Sequence, residues 1–265
     1  MSRRYTARAV VVAEPDGAWR TTITRLRSDG PLAVREGRPW HLARRAGRAD
    51  HGAEPAVVYL VGAAAGPLGG DDLTLRLIVA PGAHLAVRSV ATTLTLPGDG
   101  ESRLAIQARV GAGGRLDFAP EPTVAVAGCR HRSVADIELG AAAEVRWREE
   151  LILGRHGERP GGYASRLDVT MNDLPLLRHE LRLDGTGTYA SRAVLGAAAA
   201  VGTVVLAGPG LVDEPCADDD DLAVLPLAGP GVLVSATAAT ATALRRRLER
   251  GAALAAGRAR ERAEP

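Results

Sequence analysis

Lysine is missing from this chain of 265 residues; all 33 of its permanently basic side chains are arginine. A Walker-type phosphate loop, a pyridoxal-phosphate Schiff base and the strand lysine of a protein kinase each need lysine, so those three chemistries are excluded. Aromatic residues are scarce at 3%, with a single phenylalanine, so the core has to be built from Ala, Val and Leu. The same scarcity leaves few stacking platforms for a nucleic acid. Charge is not segregated: 31 acidic residues are interleaved with the arginines and the net charge is +2, which is not the footprint of a nucleic-acid binder. Nor is there a long apolar run. The longest, residues 193–207, is broken by Gly196, Gly202 and Thr203, and it falls short of the ~20 residues of a membrane helix. With only Cys129 and Cys216, and a first segment (residues 1–5) lacking an apolar stretch, the expectation is a soluble protein of a reducing, cytoplasmic compartment.

What the chain does contain is alternation of period two. Residues 73–79 alternate, Pro81-Gly82-Ala83 turn the chain, and residues 84–90 alternate again. The pattern recurs at residues 104–110, a turn over 111–114 and 115–118, and then at residues 134–139, a turn over 140–143 and 144–147. By its punctuation each unit reads as a β-hairpin. The first strands end at Val79, Val110 and Leu139, 31 and 29 residues apart. A near-constant period predicts a mainly β protein of stacked, repeated hairpins forming layered β-sheets. Further strands are expected at residues 8–12, 19–25, 57–61, 163–170, 176–183, 202–206 and 231–235. One or two short helices are expected near the C-terminus. The clearer one is capped by Thr237 or Thr240 and runs through Leu244, Leu248 and Ala252, and a second could form over residues 193–200. Residues 1–257 are read as a single domain, with linkers at 44–55 and 208–221 and a disordered tail at 258–265.

Few motifs carry chemistry. Residues 66–72, Gly-Pro-Leu-Gly-Gly-Asp-Asp, are glycine-rich but end in two aspartates that would repel a phosphate, so they read as a turn. Cys129 and His131, at i and i+2 on a strand, are half of a soft metal site or else a packed Cys beside a surface His. His156 and Glu158 repeat that spacing in what reads as a solvated turn. The run Asp218 to Asp221 reads as a solvated loop, and Arg245, Arg246, Arg247 and Arg250 as a solvated helix face. No Gly-x-Ser-x-Gly elbow and no His-Glu-x-x-His pair occurs, so the protein is read as a non-enzyme. A β-fold hydrolase and an arginine-rich nucleic-acid module are the alternatives; the first lacks a nucleophile-base spacing and the second lacks charge segregation.

Several pieces together carry a resemblance. Gly69-Gly70-Asp71-Asp72-Leu73 enters a strand, Pro81-Gly82-Ala83-His84 turns it, and Ser89-Val90-Ala91-Thr92-Thr93 follows. Leu116 through Pro120-Glu121-Pro122 and Glu150-Leu151-Ile152-Leu153-Gly154-Arg155 come next. In order and spacing they resemble the urease accessory protein D family, with Leu94 where the family commonly has lysine. The resemblance implies a non-enzymatic scaffold with no cofactor of its own. It also implies three partners: the urease apoprotein, a helical urease accessory protein of the F type and a nickel-carrying GTPase accessory protein of the G type. The assembly delivers nickel to the urease active site, so nickel is cargo in transit. A cation in transit needs ligands that hold it weakly, for which scattered carboxylates and a His suit better than a thiolate cage. On matched or adjoining positions the candidates are Asp71, Asp72, Glu121, Glu149, Glu150, His156 and Glu158.

Overall fold

The computed structural model describes residues 4–17, 20–37, 54–183, 187–211, 216–219 and 221–263. Two sheets face each other. The first has seven strands in the order β14 (Leu174–Leu183), β13 (Gly162–Met171), β11 (Arg130–Leu139), β8 (Ser102–Val110), β5 (Asp72–Val79), β1 (Thr6–Asp16) and β2 (Arg20–Arg27). The main path of the second is β16 (Cys216–Asp219), β17 (Leu222–Pro226), β18 (Gly231–Ala238), β15 (Ala200–Ala207), β12 (Glu144–Ile152), β9 (Arg115–Phe118), β6 (His84–Ser89), β4 (Ala56–Gly62) and β3 (Leu32–Gly37). Short strands β7 (Thr93–Thr95) and β10 (Thr123–Ala125) pair with each other, and β10 also pairs with β12.

The layered, repeated β architecture is as expected, but the three repeated units are not hairpins. β5 and β6 do not pair with each other. β5 pairs in parallel with β1 and β8 in one sheet, and β6 pairs in parallel with β4 and β9 in the other. β8–β9 and β11–β12 repeat the arrangement, so each unit is an arch that crosses between sheets and stacks on the next, as in a solenoid. Each arch turns at one left-handed residue, Gly82 (φ 71°), Gly113 (φ 62°) and Ala142 (φ 52°). The turns are tied by Gly82 N–H donating to Ala112 O and Gly113 N–H to Ala141 O. Stacking is close enough that a Cβ on Gly111 would lie 2.6 Å from the Pro81 nitrogen. Hairpins occur elsewhere, among them β1–β2, β17–β18 and β13–β14, the last turning on Asn172 and Asp173, both at positive φ.

Equal strands stacked in parallel align equal side chains in rows. Leu75, Ile106, Ala135 and Leu167 form one inner row, and Leu77, Ala108, Ile137 and Val169 the next. Phe118 and Trp147 face them from the second sheet, stacked at 3.9 Å between ring centroids. Outward positions carry cross-strand ion pairs such as Arg109–Glu138 at 2.8 Å.

Helix α1 (Ala241–Ala263) opens with Thr240 as its cap, whose Oγ1 accepts from Ala243 N–H at 3.2 Å. Leu244, Leu248 and Ala255 are buried against the outer face of β15, β17 and β18. The approach requires glycine: a Cβ on Gly251 would sit 2.5 Å from Val234 Cγ1. The arginines of this helix are not all a solvated face, because Arg245 and Arg247 turn inward onto acids; Arg247 pairs with Asp221 at 2.9 Å. The aspartate run is likewise not wholly a loop, since Asp218 and Asp219 lie in β16. The expected second helix over residues 193–200 is instead a turn through residue 197, Gly196 standing at φ 57°, that leads into β15 at Ala200. Most of the expected linker at 44–55 lies outside the described residues, as does Trp19. No helix among the described residues is long and apolar enough to cross a membrane.

Candidate functional site: a cavity with a polar strip between the sheets

At the end of the sandwich remote from the three arches, the sheets enclose a cavity of about 720 Å³. Its apolar walls include Leu73, Leu75, Leu104 and Ile106. The inner positions of the neighbouring strands turn polar here: His131 and Ser133 on β11, Tyr163 and Ser165 on β13, and His179 on β14. The register places Ser133 beside Ser165, and across the cavity Thr203 beside Ser235. Buried hydroxyls and imidazoles in a core of this kind are costly unless they meet each other or water.

Three glutamates line this space, Glu121, Glu149 and Glu150, and Glu149 is the one whose strand phase points between the sheets. Side chains alternate along β12, so Trp147, Glu149 and Leu151 point between the sheets while Arg148 and Glu150 point out beneath α1. Glu149 is half-buried and lines the cavity wall. Its Oε1 accepts from Trp147 Nε1–H at 2.9 Å. Burial pushes its pKa up, and the indole hydrogen bond opposes that push. Tyr163, beside it, is pushed up by burial first and by the Glu149 charge second, while its bond with Ser133 opposes both.

Glu150 has a different environment one residue away. Its side chain is 1% exposed and its oxygens accept from Arg245 at 2.6, 3.1 and 3.2 Å. Arg245 also donates to both oxygens of Glu121, at 3.0 and 3.2 Å. Hydrogen bonding to Glu150 is the main cause that holds the Arg245 pKa above its ordinary value. Arg148 lies 3.7 Å from Glu150, and burial lowers its pKa. Four charges of net zero therefore bind α1, β12 and the Pro120-Glu121-Pro122 loop together.

The other candidates are spread over the fold. Asp71 is buried within the glycine-rich turn, its oxygens accepting from Tyr5 N–H and Leu68 N–H at 2.9 Å each. Asp72 is exposed and paired with Arg103 at 3.3 Å. His156 is exposed on a turn, and Glu158 is held to about 2 by hydrogen bonds from Arg155. Cys129 and His131 have different hydrogen-bond partners: the thiol meets Thr95 Oγ1 at 3.2 Å, and His131 Nδ1 meets Ser102 Oγ at 2.8 Å. His131 is not a surface residue but 3% exposed, and burial lowers its pKa to about 4. The Ser102–His131 contact has the spacing of a nucleophile and base, but Ser102 is fully buried and does not line the cavity, so it offers no nucleophile to a substrate.

Among the described residues no three His, Cys, Asp or Glu side chains gather closely enough to hold a metal ion. The cavity instead offers single oxygen and nitrogen donors spaced along a polar strip. Such donors can touch a hydrated cation in passing without caging it. The residues that sequence reasoning missed, Ser133, Tyr163, Ser165, His179, Thr203 and Ser235, had a readable signal. Each is a polar residue in the inward phase of a strand that turns apolar further along the same phase.

The UreD urease accessory protein family model matches residues 6–265. A urease accessory protein UreD of Parafrankia sp. (strain EAN1pec) is 45% identical, covering 92% of this chain and 86% of that protein. Those of Frankia casuarinae and Streptomyces coelicolor are 43% and 39% identical, over 93% and 92% of this chain and 88% and 94% of their own lengths. With nearly its whole length accounted for by these matches, the chain belongs to the UreD family of urease accessory proteins.

Proposed function

We propose that this protein is a urease maturation scaffold whose cavity passes nickel, as cargo, toward the urease apoprotein. The partners in this reading are the apoprotein, a helical accessory protein of the F type and a nickel-carrying GTPase of the G type. The observation that carries it is Glu149: a half-buried carboxylate lining a mainly apolar cavity, with one donor on one oxygen. Isolated hard and borderline donors bind a divalent cation weakly, which suits transit. In this reading the seven candidate positions do different work. Glu149 meets the cation, Glu121 and Glu150 fasten the wall nearest α1, Asp71 caps a turn, and Asp72, His156 and Glu158 lie on the surface where partners dock.

The experiment is to co-express urease with its accessory proteins and measure activation and complex assembly separately. Glu149→Gln should lower activation with assembly intact. Normal activation by that variant, or loss of activation only through failed assembly, would end the reading.

A further inference from the structure

We propose that Trp147 is the positioning residue of this passage: its indole N–H fixes one oxygen of Glu149 and so aims the other into the cavity. The inference rests on the reading of Glu149 above. Trp147 has no exposed surface and is stacked on Phe118 with 10° between the ring planes, so the indole cannot swing. The row in which it sits, Val87, Phe118, Trp147 and Val205, is packed on both sides. Its Nε1–H is a donor only and cannot compete for a cation, so the 2.9 Å bond to Oε1 restrains the carboxylate without blocking it. The side chain of a free glutamate would sample several rotamers in a cavity this size. One immovable donor removes that freedom and leaves the second oxygen toward the open space. A ligand held in its binding geometry by an outer partner is the usual way proteins tune metal contacts, and loss of such a partner lowers metal affinity by roughly 10–100-fold.

A purely structural role predicts that Trp147→Phe, which keeps the stack and loses the N–H, leaves the response to nickel unchanged. Two measurements separate the roles. In the full-length chain with Trp19 and Trp40 changed to Phe, Trp147 is the one remaining tryptophan of the three, and nickel(II) chloride should quench its emission saturably while magnesium chloride does not. Glu149→Gln in that background should weaken the apparent nickel affinity by about tenfold or more. In co-expression, Trp147→Phe should assemble normally and lower activation at limiting nickel by about tenfold, with recovery at excess nickel. Quenching that is absent, or unaffected by Glu149→Gln, overturns the proposal. So does a Trp147→Phe variant that activates like the parent at limiting nickel. If Glu149→Gln blocks activation and Trp147→Phe does not, only the positioning role fails; if Glu149→Gln activates normally, the passage itself fails.

Discussion

Replacing Arg245 with methionine should destabilise the protein by about 2–4 kcal/mol while leaving its fold intact. The magnitude follows from Glu150, whose side chain is 1% exposed and takes three contacts of 3.2 Å or less from that one guanidinium. Breaking a buried pair by removing one partner costs about 3–5 kcal/mol. Two features reduce the figure here: Arg245 itself is 30% exposed, and Arg148 remains 3.7 Å from the orphaned carboxylate. The Glu121 contact adds little, because that side chain is 39% exposed and screened by solvent. For a chain of this size a loss of about 3 kcal/mol lowers Tm by roughly 6–12 °C. Urea unfolding followed by far-UV circular dichroism should show a lower midpoint with an unchanged m-value. The double variant Arg245→Met with Glu150→Met should be more stable than Arg245→Met alone, because it removes the buried charge that the single change strands. A single variant within about 0.5 kcal/mol of the parent would refute the clamp, as would a double variant whose cost is the sum of the two singles.

Three further outcomes follow from the same geometry. Gly251→Ala should cost about 1–3 kcal/mol by thermal melting although alanine is the better helix former, because the added methyl meets Val234 Cγ1 at 2.5 Å. Ala142→Gly should be neutral or stabilise by up to about 1 kcal/mol, since Ala142 holds φ 52° where Gly82 and Gly113 stand in the other two arches; a loss of stability in urea would contradict the arch geometry. His131 stays neutral in the folded protein down to about pH 4. The unfolded chain takes up that proton near pH 6.5, so this site costs stability progressively as pH falls from 6.5 to 4, by up to about 3 kcal/mol, and adds no further loss below that. His131→Gln should flatten the urea-midpoint profile across that window, and an unchanged slope would show that the site is not shielded.

A helix capped at Thr237 or Thr240, the layered strands and the near-constant period of the three units were all legible in the sequence. Alternation of period two and punctuation by Gly and Pro are local properties, and each strand keeps its apolar phase wherever it is placed. The choice between hairpin and arch was not local. Residues 73–90 alternate and turn identically in either, and what differs is which backbone edges pair, a choice made by Val79, Val110 and Leu139 stacking in rows across about thirty residues of intervening chain. At the site, sequence reasoning found Glu149 and Glu150 as a pair and could not part them. Strand parity puts them on opposite faces, but only the position of α1 decides that one face is a clamp and the other a cavity. The absence of lysine chemistry, the β period and the family pattern are all readable along the chain, because composition and spacing are complete in one dimension. Which acids are neutralised by arginine, and which one keeps an oxygen on open space, was decided by tertiary structure, because charge pairing depends on distances between residues as far apart as Glu121, Glu150 and Arg245.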